Sequence, residues 1–300
     1  MEQRSRNQGF TLIELSIVLV VIGLIVGGIL VGQSLISAAG VRATISQIEK
    51  YNTAANTFRE KYGYLPGDIM AGPAAQFGFA ARGTNPGQGD GDGILQGWSS
   101  VACGDCTSDG ELGLFWVDLS TAHLIDGGFN TATAAIPPGY VSGAAINLYF
   151  PQAKMGQGNY IFMSSGGSWN GSAWINTGVN YFNIADVTQI ESFAPVETTP
   201  GLTVKDAYSI DSKVDDGLPQ TGRVTAQYQN YAISACCGRA AVWAAAMPNQ
   251  GTSNTGHTTG SPTTCYDNGN IDGATQQYSV EISNGANVNC ALSFRMQAGD

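Results

Sequence analysis

Hydrophobic positions are spread unevenly along this chain, and the unevenness divides it. From Phe10 to Ile36 the sequence reads FTLIELSIVLVVIGLIVGGILVGQSLI, with Glu14 as its only charged residue, and after Glu14 no Asp, Glu, Lys or Arg occurs before Arg42. A helix over that interval would be about 40 Å long at ~1.5 Å per residue, enough to cross a bilayer core of about 30 Å. A carboxylate near the start of such a run is costly in hydrocarbon and marks a functional position. From Val41 to Tyr62 the pattern turns amphipathic. Val41, Ile45, Ile48, Ala55, Phe58 and Tyr62 recur at helical spacing, with Gln47, Glu49, Lys50, Asn56, Arg59 and Glu60 between them. Gly63 and Pro66 stop the pattern. One helix over about 10–62 is therefore expected. The competing reading, two helices broken near Gly40, rests on the cost of about 1 kcal/mol for each interior glycine.

Past Tyr62 the signals are shorter. Tyr64 to about Gly110 is glycine-rich and without periodicity. Glu111–Ile125 reads as a helix, with Leu112, Phe115, Trp116, Leu119 and Leu124 on one broad face and His123 within it. Tyr140–Phe150, Asn159–Ser164 and Ala173–Ile184 carry the β-branched and aromatic residues of strands in an antiparallel meander, in which Trp169 and Trp174 suit the core better than a binding groove. Thr203-Val204-Lys205-Asp206 has the form of a capping box opening a short helix through Val214. Further strands are expected at 223–233, 240–246, 278–282 and 291–296, with 248–270 as a surface loop. No interdomain linker or internal repeat appears, so residues 63–300 form one head domain.

Arg4 and Arg6 lie before the apolar run, the arrangement of the positive-inside rule. A secretory signal peptide also has a basic lead, but its apolar core is usually about 7–15 residues. A plain anchor would leave Glu14 without a purpose. Gly9-Phe10-Thr11-Leu12-Ile13-Glu14 resembles the processing and assembly motif of type IV prepilins and type II secretion pseudopilins. The resemblance covers the first fifth of the chain and implies how the chain would be processed, assembled and placed. Prepilin peptidase would remove residues 1–9 by cutting after Gly9, and Phe10 would become the methylated N-terminus. Glu14 would pair with a neighbour's terminal amine during filament assembly. The fold class would be α+β and pilin-like: a long helix over 10–62, membrane or filament core over about 10–36, packed on an antiparallel head. The chain would sit in the inner membrane, single-pass with a periplasmic head, and then enter a pseudopilus or pilus. Its partners would be other pilin subunits, the peptidase and the inner-membrane assembly platform. Many pilins carry proline where this chain has Val31; Gly23, Gly27, Gly28 and Gly32 supply looseness there instead. The leading function is a structural filament subunit. The alternatives are a minor or tip subunit acting as a binding module, and a membrane-anchored hydrolase.

Composition narrows these choices. The net charge is −10, and without residues 1–9 the chain keeps 11 basic and 22 acidic residues, which argues against binding nucleic acid through bulk charge. No run of Lys or Arg exists to build a local basic patch. Two histidines, His123 and His257, and the absence of GxSxG, HExxH and P-loop motifs speak against an enzyme. Six cysteines in an exported chain suggest disulfides. Cys103 and Cys106 are expected to form a local bridge or paired structural thiols. The adjacent Cys236 and Cys237 are expected to pair outward, with Cys265 and Cys290 as partners. Gln88-Gly-Asp90-Gly-Asp92-Gly93-Ile94 resembles the first half of a calcium loop, with Glu111 supplying an oxygen from a distance, but Gln88 and Ser99 stand where the end ligands belong. A solvated Asp/Gly turn is the competing reading, and Ca2+ is the one cofactor in question. Asp211-Ser-Lys213-Val-Asp215-Asp216-Gly217 resembles a recurring element of large pilin-like proteins; an ion network or tight turn is expected there, ahead of a second metal site.

Overall fold

A computed structural model of the chain describes residues 11–97, 110–134, 140–169, 174–190, 196–226, 259–269, 271 and 274–297. One helix, α1 (Leu12–Tyr62), runs unbroken through all the glycines of its first half and stops where Gly63 takes a left-handed φ of 79°. At Gly40 the chain does not break but closes up: a Cβ there would lie 3.2 Å from the Met155 Cα, so the glycine lets the helix meet a head loop backbone to backbone. The apolar residues from Leu12 to Ile36 are exposed, whereas Val41, Ile48, Tyr51, Ala55 and Phe58 are buried in the head.

The remaining elements are α2 (Ala71–Phe77), α3 (Gly110–Thr121), β1 (Val141–Ser142), a 3-10 helix (Gly143–Leu148), β2 (Asn159–Trp169), β3 (Trp174–Ile190), β4 (Glu197–Thr199), β5 (Leu202–Thr203), α4 (Val204–Val214), β6 (Val224–Ala226), β7 (Tyr266–Asp267), β8 (Gln277–Tyr278), a 3-10 turn (Ile282–Gly285), β9 (Val288–Cys290) and β10 (Leu292–Arg295). β3 is the centre of a six-stranded antiparallel sheet: Ile184 pairs with Ile161 of β2 on one edge and Leu292 of β10 on the other, and β6 extends the sheet beyond β10. This is the α+β, pilin-like arrangement of one long helix against an antiparallel head.

An aromatic cluster fastens α1 and α3 to the sheet. The Tyr51 ring lies 5.0 Å from Trp116 and 6.3 Å from Phe182, and Phe115 lies 5.8 Å from Phe182. Three buried polar side chains on α1 add hydrogen bonds. Thr44 Oγ1 accepts from Met155 N–H at 2.9 Å. Gln47 accepts from Lys154 N–H and donates to the Gln152 carbonyl, both at 2.9 Å. Asn52 accepts from Gln297 N–H at 2.9 Å. α4 begins with the expected cap, Thr203 Oγ1 accepting from Asp206 N–H at 3.0 Å, and Asp206 also receives the Ser37 hydroxyl of α1 at 2.8 Å.

Several expectations are corrected. Tyr140–Phe150 holds two strand residues and then a 3-10 helix. α3 ends at Thr121, so His123 lies beyond it, in the left-handed region at φ 56°. α2 was not expected at all. Cys265 and Cys290 are bonded to each other, with Cα atoms 5.1 Å apart, rather than to Cys236 and Cys237. The cause is local: the Asn289 amide donates to the carbonyls of Pro262 and Thr264 at 2.9 and 3.0 Å and draws the 262–264 turn against β9. The calls on Cys103, Cys106, Cys236 and Cys237 lie outside the described residues.

The Cys265–Cys290 bridge closes a sequence separation of 25 residues. Cys265→Ser with Cys290→Ser should therefore lower the unfolding free energy of the detergent-solubilised chain by about 3 kcal/mol, read from denaturant midpoints against wild type.

Candidate functional site

Two places carry candidate chemistry. The first is the start of α1. Thr11 caps the helix: its Oγ1 accepts from Glu14 N–H at 3.3 Å, while Glu14 Oε2 accepts from Thr11 N–H at 2.8 Å and from its hydroxyl at 2.7 Å. Thr11-Leu-Ile-Glu14 is thus a full capping box, a second use for Glu14 that the spacing T-x-x-E already held and that the sequence reading passed over. Glu14 is fully exposed on the chain's own surface, with its carboxylate occupied by its own helix end. Gly9 and Phe10 lie outside the described residues.

The second place is the glycine-rich loop between α2 and α3. Asp118 of α3 accepts Gly67 N–H at 2.6 Å and forms a 2.5 Å ion pair with Arg82, fixing the turn that presents Asp68. Gly67 is needed there: its φ is 89°, and a Cβ would lie 2.1 Å from the Glu111 carbonyl oxygen. Asp68 accepts from Gly91 N–H at 2.7 Å and Gly93 N–H at 2.9 Å. Glu111, in the first turn of α3, accepts from Gly89, Asp90 and Gln96 N–H groups at 2.8, 3.2 and 2.9 Å. The loop hangs from these two buried carboxylates.

Oxygens of Asp68, Asp90 and Glu111 lie within 4.8 Å of one another. The structure thus joins two of the expected carboxylates, Asp90 and Glu111, and adds Asp68. Asp92 stays out of the group: Oδ1 accepts from Ile94 N–H at 2.8 Å and Oδ2 lies 3.5 Å from the Gln96 amide. Gln88, which stands where a calcium loop would have its first ligand, donates to the Ala134 carbonyl at 2.8 Å. Asp68 was missed because it belongs to a different segment, and only the fold brings the two together. Burial pushes its carboxyl up to about 7, against the pull of the Gly93 and Gly91 amides and with help from Asp92 and Asp90. Burial, then the Asp68 charge, pushes Glu111 well above the usual carboxylate range. Such a group either keeps protons at neutral pH or holds a hard cation, whose ligand oxygens at about 2.4 Å would be up to ~4.8 Å apart.

A second acidic group, Asp211, Asp215 and Asp216, also has oxygens within 4.8 Å. Its carboxylates hold a turn: Asp211 accepts from Gly217 N–H and the Tyr278 hydroxyl, Asp215 from the Arg223 and Val224 amides, and Asp216 from Leu218 N–H and the Thr221 hydroxyl. Burial pushes Asp211 up to about 7 as well.

Residues 4–30 match the family model described as the prokaryotic N-terminal methylation motif. The chain carries the class III signal peptide of type IV pilins and pseudopilins. Comparison with curated proteins and with solved structures returns no match. The pilin motif implies processing by prepilin peptidase and assembly with other pilin subunits. With the one helix among the described residues long and apolar enough to cross a membrane, it marks the chain as membrane-anchored.

The raised carboxyls of this pilin-like chain set a pH dependence. Asp68 binds a proton more tightly folded, at about 7, than unfolded, at about 3.9, so its contribution is present below pH ~4 and lost as pH rises through ~7. In EDTA the unfolding free energy should fall from pH 5 to pH 8, by an amount on the order of a few kcal/mol, and the melting temperature with it. Asp68→Asn should flatten part of that slope, leaving the shares of Glu111 and Asp211. An equal slope in the variant would remove Asp68 as its source.

Proposed function

We propose that the chain is a structural subunit of a type IV filament system, either a pilus or a type II secretion pseudopilus. The observation that carries this is the helix α1: a methylation motif leads directly into an apolar surface that nothing among the described residues covers. Cleavage after Gly9 frees a cationic amine at Phe10, and in a packed bundle of such helices an unpaired charge is costly. Glu14 lies about one turn further on, so a neighbour offset along the axis brings its amine to that carboxylate. The capping box satisfies Glu14 until then, and the switch exchanges a helix-end hydrogen bond for an intersubunit ion pair that sets axial register. The head has no catalytic part in this reading. Calcium binds at Asp68, Asp90 and Glu111 and neutralises two buried carboxylates, while Arg82 of the same loop is committed to Asp118.

Glu14→Ala should leave the subunit inserted, cleaved and folded, but should cut its recovery in sheared filaments about tenfold or more. Gly9→Ala and bulkier residues should act earlier, blocking cleavage. N-terminal mass of the membrane pool and subunit content of the sheared fraction are the readouts. Wild-type filament yield from cleaved Glu14→Ala chains would sink the pairing.

For the cation, millimolar calcium should raise the melting temperature of the whole chain, and Asp90→Ala, whose side chain supports only the Asp92 amide, should abolish most of the rise. An unshifted wild-type curve would leave the loop as a hydrogen-bonded turn.

A further inference from the structure

The sequence holds no run of basic residues, yet the fold builds a basic groove. Lys213 at the end of α4, Arg223 beside β6 and Arg295 at the end of β10 come together against α1, lining a groove of ≈ 330 Å³. They are three of the chain's 13 Lys and Arg residues, and all three are exposed. Against these three cations the lining holds one carboxylate, Glu49, and the amide groups of Asn52, Asn56 and Gln297, and its floor is the buried Val224 and Phe294. Lys213 Nζ donates to the Ser209 carbonyl at 3.1 Å, and the Arg223 guanidinium faces the Gln297 amide. Neither reaches a carboxylate among the described residues. Such a groove recognises an anion. An acidic glycan or nucleic acid would also want an exposed ring to stack on, and the one ring lining this groove, Phe294, is buried.

We propose that this groove receives an acidic side chain from a second copy of this chain. Two observations single out that occupant. A second copy carries 23 Asp and Glu residues against 13 Lys and Arg, so it offers many carboxylates complementary to this groove. The groove also lies on α1, at Ile45–Asn56, continuous with the exposed apolar stretch that ends at Ile36 and only about 14 Å along the helix from it. Copies brought side by side through their apolar helices therefore present head surfaces to this groove. The contact is heterologous, carboxylate to groove, and repeats without closing. It rests on the filament-subunit reading and adds a head-to-head register to it.

Light and isotopically heavy full-length chains, processed and co-reconstituted at high density in phospholipid vesicles, are treated with a carbodiimide that joins amines to carboxylates in direct contact. Peptide mass mapping should find Lys213 joined to an Asp or Glu peptide of the opposite isotope label. Yield should fall as salt rises from about 0.1 M to about 1 M, where the screening length shortens from ~10 to ~3 Å. Arg223→Glu with Arg295→Glu, both at exposed positions, should lower the mixed-label adduct ~10-fold with Lys213 still in place. Lys213 adducts confined to one label, or none, would overturn the proposal, as would adducts to a different protein when the same reagent is applied to filament-bearing cells. Sheared filaments of normal yield that lack the Lys213 adduct would defeat the groove contact and leave the filament reading standing. Loss of filaments with the adduct retained in vesicles would do the reverse.

Discussion

One helix has to satisfy two surroundings, and the rest of the molecule follows from that. The first half of α1 presents Leu, Ile and Val on every side, and none of them is buried against the described residues. An apolar surface of that extent does not stay in water, and it is long enough to be taken up by the core of a bilayer. The second half has to be amphipathic so that the same rod can enter a folded head. No hinge separates the two regimes, because the helix continues through Gly23, Gly27, Gly28, Gly32 and Gly40. The position of the head relative to the apolar span is thereby fixed by helix length.

The head grips α1 by more than apolar contact. Thr44, Gln47 and Asn52 are buried and hydrogen-bonded to backbone groups of segments distant in sequence, at 152–155 and at 297. A buried polar group that loses its partner costs more than the bond adds, so these four bonds specify the register of helix on head as well as supporting it. Two other buried acids, Asp68 and Glu111, do for the loop at 88–96 what the amides do for α1: each gathers several N–H groups that a glycine-rich segment cannot satisfy in a ladder of its own.

The long helix, its stop at Gly63, the α4 cap at Thr203 and the central β2–β3 pair were legible because each depends on residues close in sequence. The failures share the opposite cause. Gln47 read as a polar-face residue because periodicity places a side chain on a face but says nothing of a backbone N–H waiting there from residue 154. Tyr140–Phe150 has strand composition but lies where only Val141 and Ser142 find a partner on β3, so the remainder coils into a 3-10 helix. The cysteine partners were open because pairing depends on where Asn289 holds the 262–264 turn. In the acidic site the sequence pointed to Asp90 and Glu111, but Asp68 is supplied by another segment, and the basic groove is likewise assembled from three stretches with no basic run among them.

The head is attached to α1 sideways, through side-chain links and an aromatic cluster, and the chain leaves the helix only at its far end, past Tyr62. In a filament built on α1, a pull along the axis would be carried from rod to rod. The sheet would hang beside that load path like cargo strapped to a cable, since neither end of β3 is in series with it. Tension would therefore not be borne by the strands, and loops on the outer face would be free to vary in length and chemistry without weakening the filament in extension.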